Sequence, residues 1–240
     1  VTNYFLTNNI SGAWSGSFFA NTDTMNNQIA SFYSGAMAFA RDYRLADAVD
    51  GKPDLVVISP NDPVAMSNLA QECREGGIRF IYDPSQQVAR FSGEDLSRDM
   101  QGAYVVIANA YETEIISQKT GHSIDELQQD VEILVVTRGE AGSSIYHNGQ
   151  RIDVSPFPTD TIHDPTGVGD AYRAGLIYGL VHNWPLELAG QMGALCATYV
   201  LEQVGTQNHR YTIVEFIERF RSRYDDQGLL DAMLVASRGR

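Results

Sequence analysis

Short apolar runs alternate with helix-like stretches over residues 55–137 of the chain. Four of these runs are rich in Val, Ile, Leu and aromatic residues, which is typical of strands buried on both faces of a parallel sheet. The predicted strands are residues 55–59, 78–82, 104–108 and 133–137. Because helical stretches separate them, the pattern predicts a doubly wound α/β core.

Start signals mark the helices between and after these strands. Asp62 stands directly before a proline, as an N-cap residue often does. Ser123 with Glu126, and Thr212 with Glu215, have the spacing of a capping box. The helices predicted in the last third of the chain are residues 169–182, 186–203 and 212–223. We expect these helices to cover the sheet.

Two segments break this alternation, and each has the pattern of a β-hairpin. Residues 143–156 contain two short strands around an Asn-Gly pair at position 148, which favours a type I′ turn at an antiparallel edge of the sheet. Residues 13–35 contain two further strand-like runs around a polar turn at 21–27. These two runs are residues 17–20 and 28–33. No internal repeat and no linker long enough to separate two full domains is found in the sequence.

The amino-acid composition and net charge of the chain argue against some classes of binding partner. The chain has 240 residues, with 17 Lys and Arg against 30 Asp and Glu, so its formal net charge is −13. A fraction of 43% hydrophobic residues is enough for a sizeable core, and it argues against a disordered or collagen-like chain. Basic residues are scattered in an acidic background, so we expect neither a nucleic acid nor a membrane as a partner. An anionic substrate would need local attraction, because the chain as a whole is acidic.

The cellular compartment of the protein can be predicted from its two cysteines and from the absence of membrane-spanning and signal-peptide patterns. Cys73 and Cys196 lie far apart and have no CxxC partner or nearby His pair, which favours reduced, buried thiols over a zinc site or a disulfide framework. No apolar run reaches the ~18 residues of a membrane span, and the first residues lack the pattern of a signal peptide. These features predict a cytoplasmic protein.

The segment with the clearest chemical potential is residues 164–175. Gly167 and Gly169 allow a tight turn where a helix begins, and the free N–H groups and dipole of a helix start favour an anion. Asp170 is unexpected beside an anion unless it points away, caps the helix or takes a proton from an incoming hydroxyl. From spacing alone, an ordinary N-capped helix is at least as good an interpretation, because no Walker lysine follows.

This segment also resembles the DTxGAGD motif of the PfkB/ribokinase carbohydrate kinase family. Two further segments match in the right order: residues 109–112 are similar to the family's NxxE motif, and residues 137–142 to its TxGxxG turn. Within the family, the chain resembles the adenosine and nucleoside kinase branch, and this similarity lies in residues 27–37, 83–87 and 205–209. It implies a ribokinase-like three-layer α/β/α sandwich with a small β lid. In domain terms, residues 1–37 would be a partial lid and acceptor-side segment and 38–240 an α/β core with the nucleotide site.

The resemblance implies an ATP-dependent kinase that transfers the γ-phosphoryl group to a primary hydroxyl of a nucleoside. Asp170 would be the general base. The backbone N–H groups of Gly167, Val168 and Gly169 would form the anion hole, and replacement of the family's usual alanine by Val168 leaves that donation possible. Glu112 would hold Mg²⁺ through its water shell, although a glutamate that meets a helix dipole is the alternative.

Other positions are implied for the nucleotide and the acceptor. The residues expected on the ATP side are Thr137, Gly139, Gly142, Asn109, Ala194 and Ala197. For Ala194 and Ala197, tight helix packing is the competing explanation. On the acceptor side, the resemblance points to Gln28 and Met37, and the lid sheet could also pair two chains into a homodimer. Many family members also have a monovalent-cation site, so K⁺ is a further expected ion.

The chain departs from the family at its start. The GGNxAxN-like segment that grips the acceptor sugar has no counterpart here, and residues 1–10 resemble the helix that ordinarily follows it. The chain is then a fragment, or the missing portion lies in another chain, or the acceptor grip has been lost and the nucleotide site kept. The resemblance implies a small-molecule nucleoside or sugar as the partner, so the alternatives to a nucleoside kinase are a sugar kinase of the ribokinase or fructokinase type and a non-catalytic nucleotide-binding remnant. A third alternative is a dinucleotide-dependent oxidoreductase. The last is disfavoured because Gly167-x-Gly169 lacks the third glycine and the ribose-binding acid of that motif.

Overall fold

The computed structural model describes residues 13–22 and 28–238. The strands in these residues are β1 (Ser17–Thr22), β2 (Gln28–Tyr33), β3 (Val56–Ile58), β4 (Phe80–Tyr82), β5 (Val105–Asn109), β6 (Ile133–Thr137), β7 (Ser143–His147) and β8 (Gln150–Val154). The α-helices are α1 (Leu45–Ala48), α2 (Pro63–Glu75), α3 (Gly93–Met100), α4 (Ala110–Thr120), α5 (Ile124–Asp130), α6 (Val168–Val181), α7 (Leu186–Leu201), α8 (Ile213–Arg221) and α9 (Asp231–Arg238). The four predicted core strands and the three predicted late helices are confirmed, with ends that differ by a few residues.

Six strands form one mixed sheet in the order β3-β4-β5-β6-β7-β8, and β3, β4 and β5 are parallel. The chain divides into two compact units, one of residues 1–136 and 146–150 and the other of residues 137–145 and 151–240. The predicted boundary at residue 37 stays a prediction.

The core of the first unit is built on its short parallel strands. Phe80, Ile81 and Tyr82 of β4 are each at most 1% exposed. Full burial of a large apolar side chain contributes about 1.5–3 kcal/mol relative to exposure, so these three account for much of the local stability. The predicted cap of α2 is confirmed, because the Asp62 carboxylate accepts the backbone N–H groups of Val64 and Ala65.

The predicted type I′ turn between β7 and β8 is also confirmed. Asn148 has φ 51° and Gly149 has φ 71°, the left-handed values that this turn requires at both central positions. The capping boxes predicted for α5 and α8 are present as well, with Ser123 bonded to the backbone of Glu126 and Thr212 to that of Glu215. Local turn and cap chemistry was therefore readable from the sequence.

In the second unit, α6 and α7 pack so closely that their backbones touch. A Cβ on Gly175 would lie 2.7 Å from the carbonyl oxygen of Met192, and one on Gly193 would lie 2.7 Å from the carbonyl oxygen of Tyr172. Real Cβ atoms do not approach other atoms so closely, so glycine is required on both sides of this contact. The small residues of α7 therefore serve helix packing at Gly193.

The predicted hairpin near the chain start is confirmed as a separate two-stranded antiparallel sheet of β1 and β2. The polar turn between the strands and the helix predicted at residues 1–10 lie outside the described residues. Side chains alternate between the two faces of a strand, and this hairpin has large apolar groups on both. Phe18 and Phe32 share one face, and Phe19 and Ile29 share the other. Each of the four is at least half exposed.

The two cysteines are free thiols. Cys73 is fully buried in α2, and Cys196 lies in α7 beside Tyr211. Burial raises the pKa of each thiol to about 11. Within residues 13–22 and 28–238, no helix combines the length and apolar character needed to cross a membrane.

Candidate functional site

The loop before α6 is held in place by Asp164. Its carboxylate accepts the N–H of Thr166 at 2.9 Å and the N–H of Gly205 at 3.0 Å. Hydrogen bonds from Thr166, and then from Gly205, keep the pKa of Asp164 below its usual range. Asp164 therefore ties two loops of the second unit together at the start of α6.

Glycines open the space at the start of α6. Gly167 has φ 86°, a left-handed conformation that favours glycine. A Cβ at Gly169 would meet no atom within 4 Å, so Gly169 faces open space, whereas one at Gly167 would lie 3.1 Å from the Cβ of Thr206. The Val168 amide makes only a long hydrogen bond of 3.3 Å, to the carbonyl of Pro165. Since the first N–H groups of a helix lack acceptors within it, the turn can receive an anion.

Asp170 stands in the first turn of α6 with its side chain 73% exposed. Arg173 donates from Nη2 to Oδ1 of Asp170 at 2.6 Å. The Arg173 side chain is only 12% exposed. Sequence reasoning missed this partner, although the i,i+3 spacing on a helix was a signal that could have identified it.

The predicted TxGxxG turn follows β6 in the second unit. Its ends close on each other, because the Arg138 N–H donates to the Gly142 carbonyl at 2.7 Å. A Cβ on Gly139 would meet nothing, whereas one on Gly142 would overlap the carbonyl oxygen of Val154. Gly139 is thus open to a ligand, while the space at Gly142 is filled by the chain itself.

The Arg138 side chain is engaged within the same unit. It binds the Ser144 hydroxyl and lies 3.2 Å from the Asp153 carboxylate. Hydrogen bonds from Ser144 and then Arg151 hold the pKa of Asp153 low, at about 2. Arg138 therefore supports the hairpin side of this turn.

On α7, the two alanines expected near the nucleotide differ in exposure. Ala194 is buried at 7% exposure, and its carbonyl accepts the Thr198 hydroxyl at 2.9 Å. Ala197 is partly exposed. Of the two, Ala197 offers the larger surface to a ligand.

In the first unit, Asn109 and Glu112 form a capping box at the start of α4. The Glu112 N–H donates to Oδ1 of Asn109 at 2.9 Å, and the Asn109 N–H donates to Oε2 of Glu112 at 2.8 Å. Glu112 therefore has a structural role at the start of α4, as the alternative to a magnesium role required. Since the second carboxylate oxygen is not used by the cap, this arrangement still allows a role with a metal's water.

Sequence reasoning also missed Asp83 as a neighbour of Glu112. Asp83 follows β4 and Glu112 follows β5, and these strands are parallel, so both carboxylates belong to the same edge of the sheet. Burial raises the pKa of Glu112, and the negative charge of Asp83 raises it further. Among the described residues, no group of three or more His, Cys, Asp or Glu side chains could hold a metal ion by itself.

The two residues expected on the acceptor side lie in or just after the hairpin. The backbone of Gln28 begins β2 opposite Thr22, and its side chain lies outside what the structure describes. Met37 is half-buried in the 3₁₀ helix Gly35–Asp42. Ala36 in this helix donates its N–H to the Trp14 carbonyl at 2.8 Å, which anchors the helix to the base of β1.

Comparison with known proteins agrees with this geometry. A curated nucleoside kinase of Methanocaldococcus jannaschii is 32% identical over 203 residues, which cover 83% of this chain and 66% of that protein. The solved nucleoside kinase of Burkholderia thailandensis is 32% identical. Its complex with inosine superposes with a TM-score of 0.85, covering 89% of this chain and 69% of that one. Its complex with ADP-inosine gives 0.84, covering 89% and 66%.

The chain thus spans about two thirds of the length of these relatives. The sequence profile described as pfkB family carbohydrate kinase matches residues 14–212, which include the hairpin, the capping box of α4 and the turn before α6. A match over this much of the chain identifies the family. The chain belongs to the pfkB family of carbohydrate kinases and has their ribokinase-like α/β fold.

Proposed function

We propose that the protein is a nucleoside kinase that transfers the γ-phosphoryl group of ATP to the 5′-hydroxyl of a nucleoside. The observation that carries the proposal is the turn at Gly167–Gly169, where a helix begins with its first backbone N–H groups beside the exposed carboxylate of Asp170. The relative from M. jannaschii is a nucleoside kinase, and that of B. thailandensis binds inosine together with ADP. These similarities favour a nucleoside over a sugar as the acceptor.

In this proposal, Asp170 accepts the proton of the acceptor hydroxyl while that oxygen attacks the phosphoryl group. Its exposure leaves room for the hydroxyl to approach. The N–H groups of Gly167, Val168 and Gly169 stabilise negative charge on the transferring oxygens. The Val168 N–H would have to give up its hydrogen bond to the Pro165 carbonyl in order to bind a phosphoryl oxygen. The free-energy cost of this exchange is small because the bond is long and therefore weak.

Glu112 and Asn109 are the residues proposed to serve Mg²⁺. Because the described residues offer no cage of three carboxylates or imidazoles, binding through water suits this site and suits an ion that dehydrates reluctantly. When bound, the ion neutralises charge on the phosphates. We place the nucleotide near Thr137, Gly139 and Ala197, with Gly142 and Ala194 in supporting positions. A requirement for K⁺ stays a prediction of the family resemblance.

The hairpin supports the choice of acceptor. A flat base gains by stacking on aromatic side chains and by exclusion of water, whereas a sugar covered with hydroxyl groups needs polar partners. Phe18 and Phe32 on one face of the β1–β2 sheet meet this requirement. We propose that this face, with Gln28 and Met37, lies over the base. We also place the reaction in the cytoplasm, where two free thiols are stable.

A coupled ADP-release assay on the full-length protein tests the proposal. The acceptors are adenosine, guanosine, inosine, cytidine, ribose and fructose, and the matched negative control is Asp170→Asn. We expect at least one nucleoside to give a higher kcat/KM than either sugar, and Asp170→Asn to lower kcat by ~10²–10⁴ with the Kd for ATP unchanged. More efficient turnover of the free sugars would establish the sugar-kinase alternative. Absence of turnover with every acceptor would favour the non-catalytic remnant.

A further inference from the structure

The ion pair between Asp170 and Arg173 has an unusual distribution of exposure. Arginine normally keeps its charged head in water, yet here the Arg173 side chain is 12% exposed and its aspartate partner is 73% exposed. A second pair with the same i,i+3 spacing, Asp95 and Arg98 in α3, is 40% and 49% exposed. The Asp170–Arg173 pair is therefore not an ordinary surface pair.

The position of Arg173 on α6 is also electrostatically costly without a partner. Helical side chains point toward the helix N-terminus, so a guanidinium in the second turn reaches back to the first. That end of a helix carries partial positive charge, which repels a cation. The 2.6 Å bond to Asp170 compensates this cost. The pair thus places the cation, which the helix dipole disfavours, beside a carboxylate that the dipole favours.

The charge of Asp170 matters because the turn before α6 can bind an anion. The glycine turn favours an anion, and an unpaired carboxylate in the next residue would repel the negatively charged phosphoryl oxygens. A carboxylate has two oxygens, so a guanidinium can hold one while the other accepts a proton. Arg173 donates to Oδ1 of Asp170, which satisfies this condition.

We propose that Arg173 is a positioning residue for the phosphoryl-transfer reaction: it fixes the Asp170 carboxylate through Oδ1 and offsets its charge beside the anion-binding turn. This inference rests on the proposed role of Asp170 as the base. It assigns to Arg173 a contribution to turnover and not to the binding of either substrate. A misplacement of a base by about 1 Å can cost ~10²-fold in rate, so the effect is measurable.

The test uses Arg173→Met and Arg173→Lys in the full-length protein, with kcat and KM measured for ATP and for the best nucleoside. We expect Arg173→Met to lower kcat by ~10–10²-fold and to leave both KM values within about threefold. Arg173→Lys should restore part of kcat, because an ammonium can replace one donor but not the planar fork. Asp95→Asn, which breaks the pair of the same spacing in α3, is the matched control and should leave kcat unchanged.

A double-mutant cycle separates this inference from the proposed function. If Arg173 acts through Asp170, adding Arg173→Met to Asp170→Asn should cause no further loss of kcat. An equal loss in both backgrounds would overturn the inference, as would a change in KM alone. Should Asp170→Asn keep near wild-type turnover, the base assignment itself would fail. Circular dichroism and thermal melts confirm that each variant is folded, and Arg173→Gln replaces Arg173→Met if the latter is not.

Discussion

Glu112 has a structural task in the fold and a proposed chemical one. Its carboxylate closes the capping box of α4 by accepting the Asn109 N–H at 2.8 Å. The sequence pattern alone could not separate the cap from a magnesium site, because both require an acid at the same position. The two roles are separable by substitution, since a capping box accepts glutamine as well as glutamate.

Glu112→Gln is therefore expected to keep α4 intact while it weakens the proposed hold on Mg²⁺. The free energy of unfolding should change by less than about 0.5 kcal/mol, and the Mg²⁺ concentration at half-maximal activity should rise. The measurement is kcat against free Mg²⁺ at saturating ATP and nucleoside. Glu215→Gln in the capping box of α8 is the control, because it makes the same exchange at a distant helix start. An unchanged magnesium dependence would leave Glu112 with the cap alone.

At the scale of elements, α6 and α7 depend on glycine at their contact. Gly175→Ala would place a Cβ 2.7 Å from the Met192 carbonyl and 2.8 Å from the Gly193 backbone. Backbone atoms cannot move aside as a flexible side chain can, so the two helices would have to separate. Since α6 also carries Asp170, its displacement would reach the proposed site.

We expect Gly175→Ala to lower the free energy of unfolding by about 1–3 kcal/mol, although alanine is the better helix former. Chemical denaturation followed by circular dichroism measures this change. Ala174→Met, at the exposed neighbouring position, adds more volume without a close contact and serves as the control. Equal stability of Gly175→Ala and wild type would mean that the helices can separate at no cost.

The elements of this fold were more predictable than its long-range contacts. Turns and caps depend on neighbours within a few residues, so Asn148-Gly149 and the Ser123 cap could be read directly. The sequence predicts Gly142 on the ATP side, but the carbonyl of Val154, twelve residues later, fills the space beside it. For Arg173 the spacing was readable, but its burial was not, because burial depends on elements distant in the sequence.

At the scale of the whole molecule, the β1–β2 hairpin presents two apolar faces with different proposed tasks. Phe18 and Phe32 are assigned to the acceptor base, and Phe19 and Ile29 lie on the opposite face, 66% and 78% exposed. Exposed apolar groups of this size commonly mark an interaction surface. We propose a second copy of the chain as the partner of the Phe19 face, since an antiparallel hairpin can pair with itself by twofold symmetry.

The two faces are tested with matched double variants. Phe19→Ser with Ile29→Thr should shift the protein from dimer to monomer in sedimentation velocity, and should leave the KM for the nucleoside unchanged in the monomer. Phe18→Ser with Phe32→Ser should raise that KM by ~10-fold or more, the loss expected for removal of stacked aromatic surface, and should keep the dimer. A monomeric wild-type protein, or the two results interchanged, would contradict the assignment of faces.

The two free thiols make this chain convenient for site-directed labelling. With the pKa of Cys73 and Cys196 at about 11, roughly one thiol in 10⁴ is ionised at pH 7, so maleimide reagents should react slowly with the native protein. A cysteine introduced at exposed Ser31 on the Phe19 face would then carry almost all of the label. Nitroxide groups at that position would report the spacing between two hairpins by electron spin resonance, without removal of the native cysteines.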